Sequence, residues 1–196
     1  MNDFDESWSL DTLEGQLAFI EAVLFVSKDP IAPERFFDFF QFREISQLEN
    51  VLDSFEKHLT ENHRGLVLQR AGGGLQLVTR PDIHDGLKEF FTIKSSSRLS
   101  VAALESLAIV AYRQPATIAE ISDMRGVNST GAVKTLLQKK LIKITGRKKV
   151  PGRPAMYGTT KQFLLYFGLN DLSELPSLEE LTEMFEEKEQ PSLFTM

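Results

Sequence analysis

The sequence predicts a mainly α fold with small β wings (α+β), arranged as two tandem winged-helix domains. Three observations carry that expectation. An apolar helix that stops at a proline occurs twice, ending at Pro30 and again at Pro115. Each copy is followed by two shorter helical patterns. Each unit then closes with two β-prone runs around a glycine-rich turn, the pattern of a hairpin wing.

The first helix is expected over 13–26. Leu13, Leu17, Ile20 and Leu24 form one stripe, while Phe19, Val23 and Val26 form a second, so the helix is apolar on more than one side. Ser27-Lys28-Asp29-Pro30 ends it, because proline disfavours helical continuation at the residue before it. PERFFDFF (33–40) follows as a short helix, then a longer one with Leu48, Val51, Leu52, Phe55 and Leu59 at helical spacing. LVLQRAGGGLQLVTR (66–80) reads as the first wing. FTIKSSSRLS (91–100), basic and serine-rich, marks the linker between the units.

The second unit repeats the plan. A helix after Ser100, a good N-cap residue, carries Leu104, Leu107, Ala108 and Ala111 as its inward stripe and ends at Tyr112-Arg113-Gln114-Pro115. IAEISDMRG (118–126) and a helix from Ser129, with Val133, Leu136 and Leu137 inward, come next. LIKITGRKKVPGRPAMYGTT (141–160) supplies the second wing. The expected boundaries are an acidic flexible leader over 1–11, a first winged-helix domain over 12–90, a linker over 91–99, a second winged-helix domain over 100–169 and an acidic tail over 170–196. On composition, the leader and SLEELTEMFEEKEQPSLFTM (177–196) read as solvated, partly disordered extensions.

Composition excludes several functions. The 196 residues contain no cysteine, which removes disulfides, zinc thiolates and a thiol nucleophile. The acidic N-terminus lacks the pattern of a signal peptide and no apolar run reaches membrane-spanning length, so a soluble cytoplasmic protein is expected. The net charge of −6 conceals a strong segregation. Six acids and no Lys or Arg lie in the first 21 residues, whereas from Arg125 to Lys161 there are ten cations and no acid. Such a block suits nucleic acid, an acidic partner or the chain's own acidic tail.

Chemical motifs are missing where an enzyme would need them. Gly72-Gly73-Gly74 runs into strand-like Leu75-Gln76-Leu77-Val78, not into the Lys-Ser/Thr and helix of a phosphate loop. His58 and His63 are five residues apart, which is not the spacing of two metal ligands on a helix, and His84 is distant. No catalytic, cofactor-binding or metal-binding residue is therefore assigned, and no cofactor is expected.

DNA binding is the serious alternative, since helix-turn-helix folds read the major groove with their second helix. In the first unit that helix presents Glu49, Asp53, Glu56 and Glu61, which phosphates repel. In the second it presents Ser129, Thr130, Lys134 and Gln138, with no Arg, Asn or Gln in its first two turns to read bases. Nonspecific contact through Lys148, Lys149 and Arg153 stays open.

The AYRQP helix end, the RGVNS turn, the TGRK strand and the PGRP-x-x-YGTT wing followed by FLLYFGL, all within 104–169, closely resemble the C-terminal half of the segregation and condensation protein B family. IEAVLFVSKDPI and AGGGLQLVTR extend the resemblance loosely to the N-terminal half. It implies a non-catalytic subunit of the bacterial SMC complex, with two winged-helix domains. Such a subunit forms a homodimer chiefly through the N-terminal one and acts in chromosome condensation and segregation at the nucleoid. The implied partner is the kleisin subunit (segregation and condensation protein A) and, through it, the SMC ATPase. Candidate kleisin contacts are Tyr112, Arg113, Arg147, Lys149, Arg153 and Tyr157, as one groove between the helix end and a wing packed beside it. Candidate dimer contacts are Phe19, Val23 and Val26, because helix 13–26 and the phenylalanines of 36–42 carry more apolar surface than a small three-helix unit buries.

Overall fold

The computed structural model of the chain describes residues 9–91, 99–177 and 179–180. Most of the leader with Trp8, most of the linker, Leu178 and all of the tail after Glu180 lie outside the described residues.

The first unit runs α1 (Leu13–Val26), α2 (Pro33–Phe39), α3 (Ile45–Glu61), β1 (Leu66–Ala71) and β2 (Gly74–Thr79). A 3-10 turn at Pro81–Ile83 and the short α4 (His84–Phe90) follow. Thr12 caps α1, its Oγ1 accepting the Gly15 N–H at 3.1 Å. The core collects Ile20, Leu24, Phe36, Leu48, Leu52, Phe55, Leu59 and Leu75. β1 and β2 pair antiparallel from Leu66↔Thr79 to Ala71↔Gly74, turning through Gly72 and Gly73. Both glycines have positive φ, 60° and 72°, as a tight two-residue hairpin turn requires. Ile31 exchanges both backbone hydrogen bonds with Leu75, at 2.9 and 2.8 Å, so the residue after Pro30 braces the wing.

The second unit runs α5 (Val101–Arg113), β3 (Ala116–Thr117), α6 (Ile118–Arg125), α7 (Thr130–Gln138), β4 (Ile142–Arg147), β5 (Ala155–Thr159) and α8 (Lys161–Phe167). Its sheet has the order β3-β5-β4, which leaves the basic strand β4 at an edge. Ala103, Leu107, Val110, Ile121, Val133, Leu136, Leu141, Tyr157 and Phe163 form its core. Both units thus show three helices and a wing. The two-residue β3 and the helices α4 and α8 go beyond the expected plan.

Two expectations change on contact with the packing. Leu104 and Ala108, expected inward with Leu107, are exposed, and the core face of α5 is instead Ala103, Ser106, Leu107 and Val110. Ser106 fits there because its hydroxyl donates to the Ala102 carbonyl one turn earlier, at 2.8 Å. Ser129, expected on the exposed face of α7, is fully buried. Its hydroxyl accepts from Arg125 and donates to the Val127 carbonyl, at 3.0 and 3.2 Å, so it closes a turn and cannot meet a base.

Candidate partner-binding surfaces

The residues that make 104–169 recognisable are mostly joints of the second unit. Gln114 Oε1, at the end of α5, accepts from the Thr159 backbone N–H at 2.7 Å and its hydroxyl at 3.1 Å, tying α5 to β5. Gly158 sits against that joint. A Cβ there would stand 2.8 Å from Gln114 Oε1 and 2.9 Å from Thr145 Cγ2, so any larger residue must displace a side chain of the joint. Arg125, with a side chain only 8% exposed, donates twice to Glu105 of α5 and once to Ser129, which fixes the RGVNS turn. Thr160 caps α8 and donates to the Lys140 carbonyl at 2.6 Å.

The base of the wing is held electrostatically. Glu120 accepts from the Thr117 N–H and Oγ1 at 2.8 and 2.7 Å, the carboxylate half of a capping box, and pairs with Lys148 of the wing at 2.5 Å. The hydrogen bond from Lys148, then those from Thr117, hold its carboxyl at about 2, well below the usual carboxylate range.

The candidate kleisin contacts differ in exposure and in what they touch. Arg147, Lys149 and Arg153 are exposed on the wing, where Arg147 donates to the Arg153 carbonyl at 3.1 Å. Tyr157 is in the core with 7% exposure, its ring holding the wing down, so it is out of a partner's reach. Arg113 is exposed at the end of α5. Tyr112 turns toward α8 and donates its hydroxyl to the Pro176 carbonyl at 2.7 Å. Tyr112 is thus engaged by the segment after α8. Lys148 reaches α6, not α5.

What Tyr112 does join is an apolar groove of about 270 Å3 lined by Leu104, Ala108 and Ala111 of α5, Phe163 and Phe167 of α8, and Leu175. Leu104 and Ala108 share the helical stripe of Leu107 in the sequence, and here they face this groove. Residues 172–175 fall within the expected acidic tail over 170–196, yet Leu172 and Leu175 pack against the second core. The signal this groove leaves in the sequence is the apolar stripe of Leu104, Leu107, Ala108 and Ala111 on α5.

On the first unit, Phe19 and Val23 are half-buried and Val26 is 75% exposed. Phe19 stacks on Phe39 with ring centroids 4.4 Å apart, and Phe40 meets Phe19 edge-on at 5.7 Å. Of the phenylalanines in 36–42, only Phe36 is fully buried. Phe19, Val23, Ile31, Phe36 and Phe39 surround a second apolar recess of about 110 Å3, with Phe25 exposed nearby on α1. Glu49 and Glu56 on α3 are engaged by Arg70 of the wing at 2.9 and 3.9 Å, which partly neutralises that acidic face.

Among the described residues no group of three or more His, Asp or Glu converges as a metal site, and no helix is long and apolar enough to cross a membrane.

The family model for the segregation and condensation complex subunit ScpB matches residues 18–178. The segregation and condensation protein B of Syntrophotalea carbinolica is 43% identical over 180 residues, covering 92% of this chain and 90% of that protein. That of Clostridium tetani is 41% identical over 179 residues, covering 90% and 94%. The crystal structure of ScpB from Mycobacterium tuberculosis is 28% identical, covers 81% of this chain and 98% of that one, and superposes with a TM-score of 0.37. With the match spanning both winged-helix units, the chain belongs to the family of the segregation and condensation complex subunit ScpB.

Proposed function

We propose that this chain is a non-catalytic, homodimeric adaptor of the bacterial SMC complex that binds the kleisin subunit and so supports chromosome condensation and segregation at the nucleoid. Family membership supports the complex. The open apolar groove between α5 and α8 supports the adaptor role, and it is the observation that carries the reading.

An amphipathic helix of the kleisin fits such a groove, laying apolar residues against Leu104, Ala108 and Phe167. Leu104 and Phe167 are 43% and 45% exposed, so a partner side chain covering them removes apolar area that solvent now touches. Arg113 at the helix end and Arg147, Lys149 and Arg153 on the wing act at longer range, steering an acidic approach and not forming the groove itself. Phe19, Val23 and Val26, with Phe25 and Phe39, form the proposed dimer surface, because the stacked rings of α1 and α2 are left partly in water.

A tagged copy of the chain in extract of its own organism tests this. Recovery of the kleisin and the SMC ATPase, identified by mass spectrometry, is expected. Recovery of duplex DNA without either protein points to the nonspecific DNA-binding alternative and removes the adaptor.

A further inference from the structure

The tip of the first wing and the residues just beyond α8 meet in an arrangement that neither proposed surface uses. The Gly72 N–H donates to the Leu169 carbonyl at 2.9 Å, and the Gly73 N–H donates to Asn170 Oδ1 at 2.9 Å. Gly168 ends α8 with φ 69°, and a Cβ there would stand 2.7 Å from Gln69 Nε2 of β1. Gln69 is itself held by Gln76 across the hairpin at 2.7 Å. The first wing therefore approaches the second unit through glycines on both sides.

The segment that receives the wing is organised and anchored at its far end. Asn170 N–H donates to Glu174 at 2.8 Å and Ser173 N–H to Asp171 at 2.9 Å, while Leu172 and Leu175 pack on the second core. The Tyr112 hydroxyl then binds the Pro176 carbonyl. One end of segment 169–176 thus belongs to the first wing and the other to α5.

We propose that segment 169–176 is a clasp that sets the orientation of the two winged-helix units, closed by the Gly72-Gly73 turn. Two units joined by a short linker move relative to each other unless a contact prevents it. One exposed hydrogen bond shifts such an equilibrium by about tenfold at most. Two bonds and the glycine contact hold the closed arrangement while leaving it reversible. Tyr112 and Leu175 also line the groove on α5, so whatever fills that groove lies against the clasp. The proposal goes beyond the adaptor reading and stands without it.

The two glycines supply the test and its control. At Gly72 a Cβ would meet Leu165 Cδ2 at 3.1 Å and Lys161 carbons at 3.2 Å, whereas at Gly73 it meets nothing within 4 Å. Both have positive φ, so alanine strains the turn alike at either position. The chain contains no cysteine, so Lys57→Cys on α3 and Lys134→Cys on α7, both exposed, accept a pair of spin labels in the full-length protein. Dilution with unlabelled protein restricts the pulsed electron paramagnetic measurement to distances within one chain. A single narrow distance is expected for the labelled parent and for Gly73→Ala, with a broadened or second distribution for Gly72→Ala and Asn170→Ala. Circular dichroism checks folding, and Asn170→Ala, outside both cores, keeps the test alive where Gly72→Ala fails to fold. A broad parent distribution, unchanged distances in Gly72→Ala and Asn170→Ala, or equal broadening by Gly73→Ala overturns the clasp. Loss of kleisin binding alone leaves it standing.

Discussion

Replacing Glu120 by Gln should destabilise the second unit in a way that depends on pH. The substitution keeps the size of the side chain and one oxygen able to accept from Thr117, but removes the charge that pairs with Lys148. At about 1.4 kcal/mol for each tenfold change in proton affinity, the fall of the Glu120 pKa from 4.5 to about 2 sets a ceiling of about 3.4 kcal/mol. The carboxylate is 43% exposed and Lys148 44%, so water screens the pair and the realised contribution is about 1 kcal/mol. The sign follows from the lowered pKa. The contribution is complete above about 4.5, where the unfolded carboxyl is ionised, and is lost as pH falls from 4.5 through about 2. Urea unfolding followed by circular dichroism at pH 7 and at pH 3 measures it. The wild type should exceed Glu120→Gln by about 1 kcal/mol at pH 7, with the gap shrinking at pH 3. A difference that is absent at pH 7, or the same at both pH values, refutes the assignment of the wing joint to this carboxylate.

Further substitutions probe the other joints and surfaces. Arg125→Ala leaves Glu105 and buried Ser129 without their shared partner and should cost about 1–3 kcal/mol in the same assay, whereas Arg113→Ala, exposed, should cost less than about 0.5 kcal/mol. Phe19→Glu removes the stack on Phe39 and should shift the protein toward monomer in light scattering at tens of micromolar, with an unchanged circular dichroism spectrum separating a lost interface from a lost fold. Arg147→Glu with Lys149→Glu should slow association with the kleisin and weaken binding most at low salt, while affinity for duplex DNA stays weak before and after.

Where the fold was legible in the sequence, a local pattern carried it. Proline stops after Asp29 and Gln114, the Ser100 cap, the helical spacing of Leu48 to Leu59 and the paired glycines of the first wing all act within a few residues of themselves. The groove on α5 is different in kind. Leu104 and Leu107 are one turn apart on an apolar helix, and periodicity cannot tell which faces the core and which faces the gap beside α8, some sixty residues later. Ser129 was misplaced for a similar reason, because an Arg four residues earlier decides that its hydroxyl is satisfied inside. The strand expected after the triple glycine forms as β2, beginning at Gly74. Its contact with Leu169 and Asn170 joins residues nearly a hundred positions apart and left no trace in composition or spacing.

The adaptor role is tested most directly by isothermal titration of the purified dimer with the kleisin of the same organism, alongside the variant Leu104→Glu, which places a charge at the exposed rim of the α5 groove. Saturable binding by the wild type, with a dissociation constant in the micromolar range or tighter, and a loss of at least about tenfold in the folded variant, a difference of about 1.4 kcal/mol, is the predicted result. A folded wild-type dimer that takes up no kleisin contradicts the account, and equal binding by the variant removes the groove from it.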